Sequence, residues 1–198
     1  LQTNTPDALS PRPLVYGSKD GRKWQFLSFI TPERPVSPYY VLKTPFSPLP
    51  HFYPRILVLR DGRILCSLRY QRDARSVIWT DVHESVDGGR TWNFLSRVND
   101  WGAPGDLVEL TDGRLVCVYG YRIAPSGIRY RVSEDGGRRW GREWILRDDG
   151  ASWDVGYPRV IEVAPNRLLA TYYINLVEAG VQVNGGVRHI ARTLFTPS

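Results

Sequence analysis

The chain of 198 residues falls within the size of a single domain, and no stretch of it is both long and free of charge, which argues against a transmembrane span. Scattered Gly and Pro among seven Trp, eleven Tyr and six Phe predict short strands and many turns. The net charge of +6 rests on 23 Arg against 3 Lys; these Arg alternate with acidic residues and never form a run, which disfavours a nucleic-acid surface and suits a pocket gripping a planar carboxylate.

In chain order the first signal is "GSKDGRKWQFLSFI" (Gly17 to Ile30), read as strand end, tight turn and strand. Next comes "FYPRILVLRDGRILCSLRYQ" from Phe52, alternating apolar residues on both sides of a "DGR" turn, which predicts a hairpin. A further alternating strand, "SVIWTDVHES", leads into the turn "SVDGGRTW" (Ser85 to Trp92) and a fourth strand. The pattern repeats from Gly102 as "GAPGDLVELTDGRLVCVYGYR", then "GIRYRVSE", then "SEDGGRRW" (Ser133 to Trp140). It starts a third time at Gly156 with "GYPRVIEVAPNRLLATYYIN" and continues with "VRHIARTLF".

Pro54, Pro104 and Pro158 recur at spacings of 50 and 54, and Arg63, Arg114 and Arg167 at 51 and 53. Four antiparallel strands per unit of about 50 residues is the pattern of a β-propeller blade. The predicted fold is therefore all-β, a partial propeller of about three and a half blades: residues 1–48 a half blade with connector, 49–98 and 99–148 full blades, and 149–198 a blade lacking its outer strand. Open strand edges are costly. They predict either additional N-terminal blades or self-association to close the ring. Cys66 and Cys117 each follow an aligned Arg by three residues and read as buried thiols; His51, His83 and His189 lack metal-ligand spacing, and neither a metal nor a cofactor is implied.

A Ser-x-Asp-Gly-Gly-x-x-Trp turn supplies its own hydrogen-bond partners, with Gly at positive φ and Trp tucked beneath it. Asp20, Asp87 and Asp135 thus read as structural. These turns, with a shorter copy at Ser18 to Trp24, resemble the Asp boxes of the sialidase (neuraminidase) superfamily, whose members are six-bladed propellers. The resemblance covers nearly the whole chain.

Strand order puts first-strand starts and second-strand ends on one edge, away from the Asp turns, and there collects Tyr53, Arg69, Arg122 and Tyr157. In the family, Arg side chains hold the carboxylate of sialic acid while a Tyr, deprotonated by a Glu, attacks the anomeric carbon, an exception to the two-carboxylate rule of glycosidases. The resemblance implies Tyr157 as nucleophile and Arg69 and Arg122 as carboxylate clamp, with Tyr53, Arg55, Tyr121 and Arg159 as substrate-binding neighbours. The family's Glu, sixteen residues ahead of Arg69, is replaced by Tyr53. Asp106 and Asp154, near the same edge, are the candidates to replace it, whereas Glu109 and Glu162 lie deeper and read as structural pairs. Tyr53 and Tyr157 read equally well as wall residues at the propeller axis, Arg69 as a partner of Asp73, and Arg122 as a solvated loop residue.

The implied activity is that of a sialidase-like exo-glycoside hydrolase acting on sialic acid or another anionic glycan. The rival expectations are a non-catalytic carbohydrate-binding propeller and a protein-interaction propeller.

Overall fold

The computed structural model describes residues 12–32, 51–71, 78–176 and 187–198. Among the described residues thirteen strands occur: β1 (Leu14–Gly17), β2 (Gln25–Phe29), β3 (His51–Val58), β4 (Ile64–Gln71), β5 (Ile78–Ser85), β6 (Asn93–Arg97), β7 (Gly102–Glu109), β8 (Leu115–Tyr121), β9 (Ser126–Ser133), β10 (Trp144–Gly150), β11 (Gly156–Ala164), β12 (Arg167–Leu176) and β13 (Val187–Phe195). They form antiparallel sheets ordered β1-β2, β3-β4-β5-β6, β7-β8-β9-β10 and β11-β12-β13. This is the partial propeller the repeat predicts: half a blade, two four-stranded blades and a three-stranded one. Among the described residues no helix is long and apolar enough to cross a membrane.

The core lies between blades, where the faces of neighbouring sheets pack on each other. Val116, Val118 and Ile128 of one blade meet Val160, Leu168, Tyr172 and Ile174 of the next. Leu65 and Val82 pack on Leu107, Leu115, Cys117 and Tyr119. A smaller cluster, Ile30, Cys66 and Leu68 with Val15 and Trp92 against them, lies between the half blade and its neighbour. Both cysteines are free and buried in equivalent strands.

The Asp-Gly-Gly turns close on themselves and then on the preceding blade. Asp87 Oδ1 accepts the N–H groups of Arg90 and Thr91, and Ser85 Oγ accepts that of Gly89. Asp135 and Ser133 repeat this with Arg139 and Gly137, and Asp20 and Ser18 with Arg22, Lys23 and Gly21. The hydrogen bonds from Thr91 hold the Asp87 carboxyl below the usual carboxylate range. Ser96 of β6 donates to the Gly137 carbonyl at 2.5 Å and accepts from Trp140 Nε1 at 3.0 Å. Ser28 of β2 does the same with Gly89 and Trp92, at 2.6 and 3.1 Å. The motif is therefore a clamp between blades.

The hairpin turns sew the same edge. Arg60 N–H donates to Glu109 Oε2 at 2.9 Å, and one blade on Thr111 N–H donates to Glu162 Oε2 at 2.7 Å. Glu109 and Glu162 are thus the structural pairs expected of them.

Candidate active site

Each first strand bulges where it begins. The pairing of β3 with β4 slips between Phe52 and Arg55, and that of β11 with β12 between Gly156 and Arg159. At both bulges the residue before proline is in the left-handed region, Tyr53 at φ 56° and Tyr157 at φ 50°. Non-glycine residues rarely adopt that conformation, and proline restricts its predecessor further. Such strain persists where the surroundings over-determine it, and it collects at functional sites. Here it turns two phenols toward each other, with ring centroids 5.0 Å apart and planes at 79°.

Around this pair stand Arg69 from the end of β4, Arg122 just beyond β8 and Tyr173 near the end of β12. The Arg69 guanidinium lies 4.8 Å from the Phe52 ring centroid and 5.8 Å from that of Tyr53. Arg122 lies 6.0 Å from the Tyr157 ring and 5.6 Å from that of Trp153. The Tyr157 and Tyr173 rings stack at 5.7 Å. Three blades thus contribute to one site, and the four residues expected on this edge do converge.

The guanidinia are buried, at 8% exposure for Arg69 and 9% for Arg122. Burial, and then the charge of Arg122, bring Arg69 down to about 10. Arg69 donates to Gln71 Oε1 at 2.6 Å, and Arg122 to the carbonyls of Ala103 and Trp153 at 3.0 and 3.4 Å. Arg69 Nε and Arg122 Nη2 are buried donors with no hydrogen-bond partner among the described residues. Buried orphan donors on two repelling cations favour an anion between them. Asp73, the other partner considered for Arg69, lies outside the described residues.

The approach of blades at this point depends on bare backbone. A methyl group on Gly120 would stand 2.8 Å from the Gly156 Cα and 2.9 Å from the Val155 carbonyl oxygen. Glycine at 120 thus permits the close approach of blades that brings Arg122 and Tyr157 together.

Tyr157 pairs through its hydroxyl with Tyr53, the residue standing in place of the expected Glu. Burial pushes the Tyr157 phenol up and the bond with Tyr53 adds to it, against the opposing charges of Arg69 and Arg122. Asp106 is not beside it: its carboxylate accepts Val160 N–H at 3.0 Å and lies 3.6 Å from Arg159. Burial pushes the Asp106 carboxyl up despite Val160, Arg159 and Arg55. Arg55 and Arg159, two residues past their tyrosines, therefore join Asp106 in a charged group across the three first strands. Tyr121 packs under Arg129, whose guanidinium is 4.4 Å from its ring.

Asp154, by contrast, enters the site. It accepts Tyr173 Oη–H at 2.5 Å, is bonded by Arg188 Nε at 2.6 Å, and lies 3.9 Å from Arg122. Its segment is pinned by fully buried Asn175, which accepts Ser152 N–H and donates to Ser152 Oγ and to the Asp154 carbonyl. Tyr173, Asn175 and Arg188 were not singled out from the sequence. Tyr173 had a legible signal, since Pro158, Arg167 and Tyr173 keep the spacings of Pro54, Arg63 and Arg69.

Comparison with known proteins agrees with this architecture. No curated protein resembles the chain closely enough to count as a match. A protein of unknown function from Dyadobacter fermentans DSM 18053 superposes with a TM-score of 0.70 at 25% identity, over 96% of this chain and 46% of that one. The GH93 α-L-arabinofuranosidase of Fusarium graminearum, solved with arabinobiose, gives 0.58 at 21% identity, over 75% of this chain and 46% of that one. The xylan β-1,4-xylosidase of Bacillus halodurans C-125 gives 0.58 at 13% identity, over 97% and 38%. This chain spans less than half the length of each, and at these identities the two glycosidases speak for the fold alone. Residues 10–168 match the model of the BNR repeat-like domain. With the match covering most of the chain, including both complete Asp-Gly-Gly clamps and the first two proline-led hairpins, the protein belongs to the BNR repeat-like domain family.

Proposed function

We propose that the protein is a glycan-cleaving propeller of sialidase-like type, acting on a glycan whose terminal sugar carries a carboxylate. The observation that supports this most is the pair of buried guanidinia, Arg69 and Arg122, with orphan donors beside three phenols. A neutral pentose, as in the arabinobiose-bound neighbour, gives such a pair nothing to neutralise; the carboxylate of sialic acid or a uronic acid does. Trp153, half exposed beside Arg122, offers a face for the sugar ring.

The test is a panel of fluorogenic glycosides given to the full chain, carboxylated sugars (sialoside, glucuronide) against neutral ones (arabinofuranoside, xyloside). Turnover confined to carboxylated members, with a KM raised at least tenfold in Arg69→Ala and in Arg122→Ala, supports the reading. Equal turnover of neutral members defeats it.

A second reading, a carbohydrate-binding propeller without turnover, is favoured by the replacement of the expected Glu by Tyr53, which leaves Tyr157 bonded to a phenol rather than a base. It predicts anion-dependent sugar binding through the same two Arg and no released aglycone.

A further inference from the structure

Resting on the reading of an anionic-glycan hydrolase, we propose that the nucleophile of this site is Tyr173, with Asp154 as its base, rather than Tyr157. A phenol attacks a carbon only if its proton has somewhere to go. Tyr173 Oη donates directly to a carboxylate, Asp154 Oδ1, at 2.5 Å. Tyr157 meets the hydroxyl of Tyr53, and a neutral phenol is no base. The two candidate rings are stacked 5.7 Å apart, and both face the charge of Arg122, so a sugar acid held by the guanidinia stands within reach of either. What separates the two is the proton acceptor.

Asp154 is also built to hold its place. Asn175 fixes the backbone on either side of it, Arg188 bonds its second oxygen, and Arg122 approaches the oxygen that faces Tyr173. The resting phenol is pushed up to about 12 by burial and by this hydrogen bond, so proton transfer and attack occur together rather than in sequence.

In the first step Tyr173 Oη bonds to the anomeric carbon while its proton passes to Asp154. The glycosidic C–O bond breaks, and the aglycone oxygen leaves with the electron pair and takes a proton from solvent. In the second step water attacks the anomeric carbon, the bond to Tyr173 breaks, the phenolate recovers its proton from Asp154, and water's surplus proton returns to solvent. The sum is hydrolysis with retention at the anomeric carbon.

The experiment traps the intermediate in the full chain with a deoxyfluoro glycosyl fluoride of whichever sugar acid the glycoside panel shows to be turned over, and maps the adduct by peptide mass spectrometry. The expected adduct is on Tyr173. Alongside, Tyr173→Phe and Asp154→Asn lose at least a hundredfold in kcat. An adduct on Tyr157 overturns this assignment and leaves the anionic-glycan reading intact. A product of inverted configuration also overturns it, because inversion has no glycosyl-tyrosine. Absence of turnover with every glycoside, together with Arg69-dependent sugar binding, overturns both this assignment and the hydrolase reading. If Tyr173→Phe fails to fold, the adduct in the unmodified chain still decides between the two phenols.

Discussion

At the scale of single residues the site stores unfavourable energy that a ligand would relieve. Folding lowers the pKa of Arg69 from its ordinary value to about 10, so its burial opposes folding fully at every pH below about 10 and progressively less above it. Replacing it with a neutral side chain of similar length removes that opposition. Arg69→Met is expected to raise unfolding free energy by about 1–3 kcal/mol in urea titration while abolishing affinity for the sugar acid, a trade of stability against function. A drop in stability would show that the bond to Gln71 and the contact with the Phe52 ring outweigh the cost of burying the charge.

Asp154 behaves in the opposite sense. Burial pushes its carboxyl up, but the bond from Tyr173 and the charge of Arg188 outweigh this and leave it below its usual value of 3.8. Its contribution to stability is therefore complete above about pH 4 and lost as the pH falls below that. Since the base must be ionised, kcat/KM on an accepted glycoside is expected to stay level down to about pH 4 on its acid side; a fall beginning near pH 6 would point to another base.

At the scale of elements, the same contacts recur wherever blade meets blade. The Ser96 hydroxyl serves a carbonyl and an indole at once. Ser96→Ala leaves both without that partner at the blade boundary and is expected to lower stability by about 1–3 kcal/mol in thermal denaturation, without changing KM for an accepted glycoside. Gly120 acts on the site instead. A methyl there meets backbone of the next blade, and overpacking of this kind lowers stability by about 1–3 kcal/mol. Because the displaced segment carries Tyr157 and follows Asp154, Gly120→Ala is expected to reduce kcat/KM at least tenfold even where the folded fraction stays high.

At the scale of the whole molecule, blades stack in a line and each is stabilised by its neighbours. Among the described residues, the boundary between the blades β7–β10 and β11–β13 buries twelve core residues, and that between the half blade and β3–β6 buries three. Hydrogen exchange is therefore expected to be fastest in β1 and β2 and slowest in β8 and β12, read by mass spectrometry of peptic peptides. Uniform protection from β1 to β13 would mean a single cooperative unit instead.

The strand repeat, the hairpin turns and the self-closing Asp turns were readable in the sequence, because they depend on period, turn chemistry and strand alternation, which are local; that Ser28 and Ser96 of the preceding blade bond those turns was not. Tyr53, Arg69, Arg122 and Tyr157 were legible for the same reason: each occupies a fixed place in a repeat. Which phenol meets a carboxylate was not, since Asp154 reaches Tyr173 across 19 residues only because Asn175 folds its segment back and Gly120 lets two blades touch. The sequence alone determined that this chain is a propeller with a basic, aromatic edge. Only the tertiary structure decided how the charges are partnered, because hydrogen bonds between blades depend on distances that no spacing along the chain encodes.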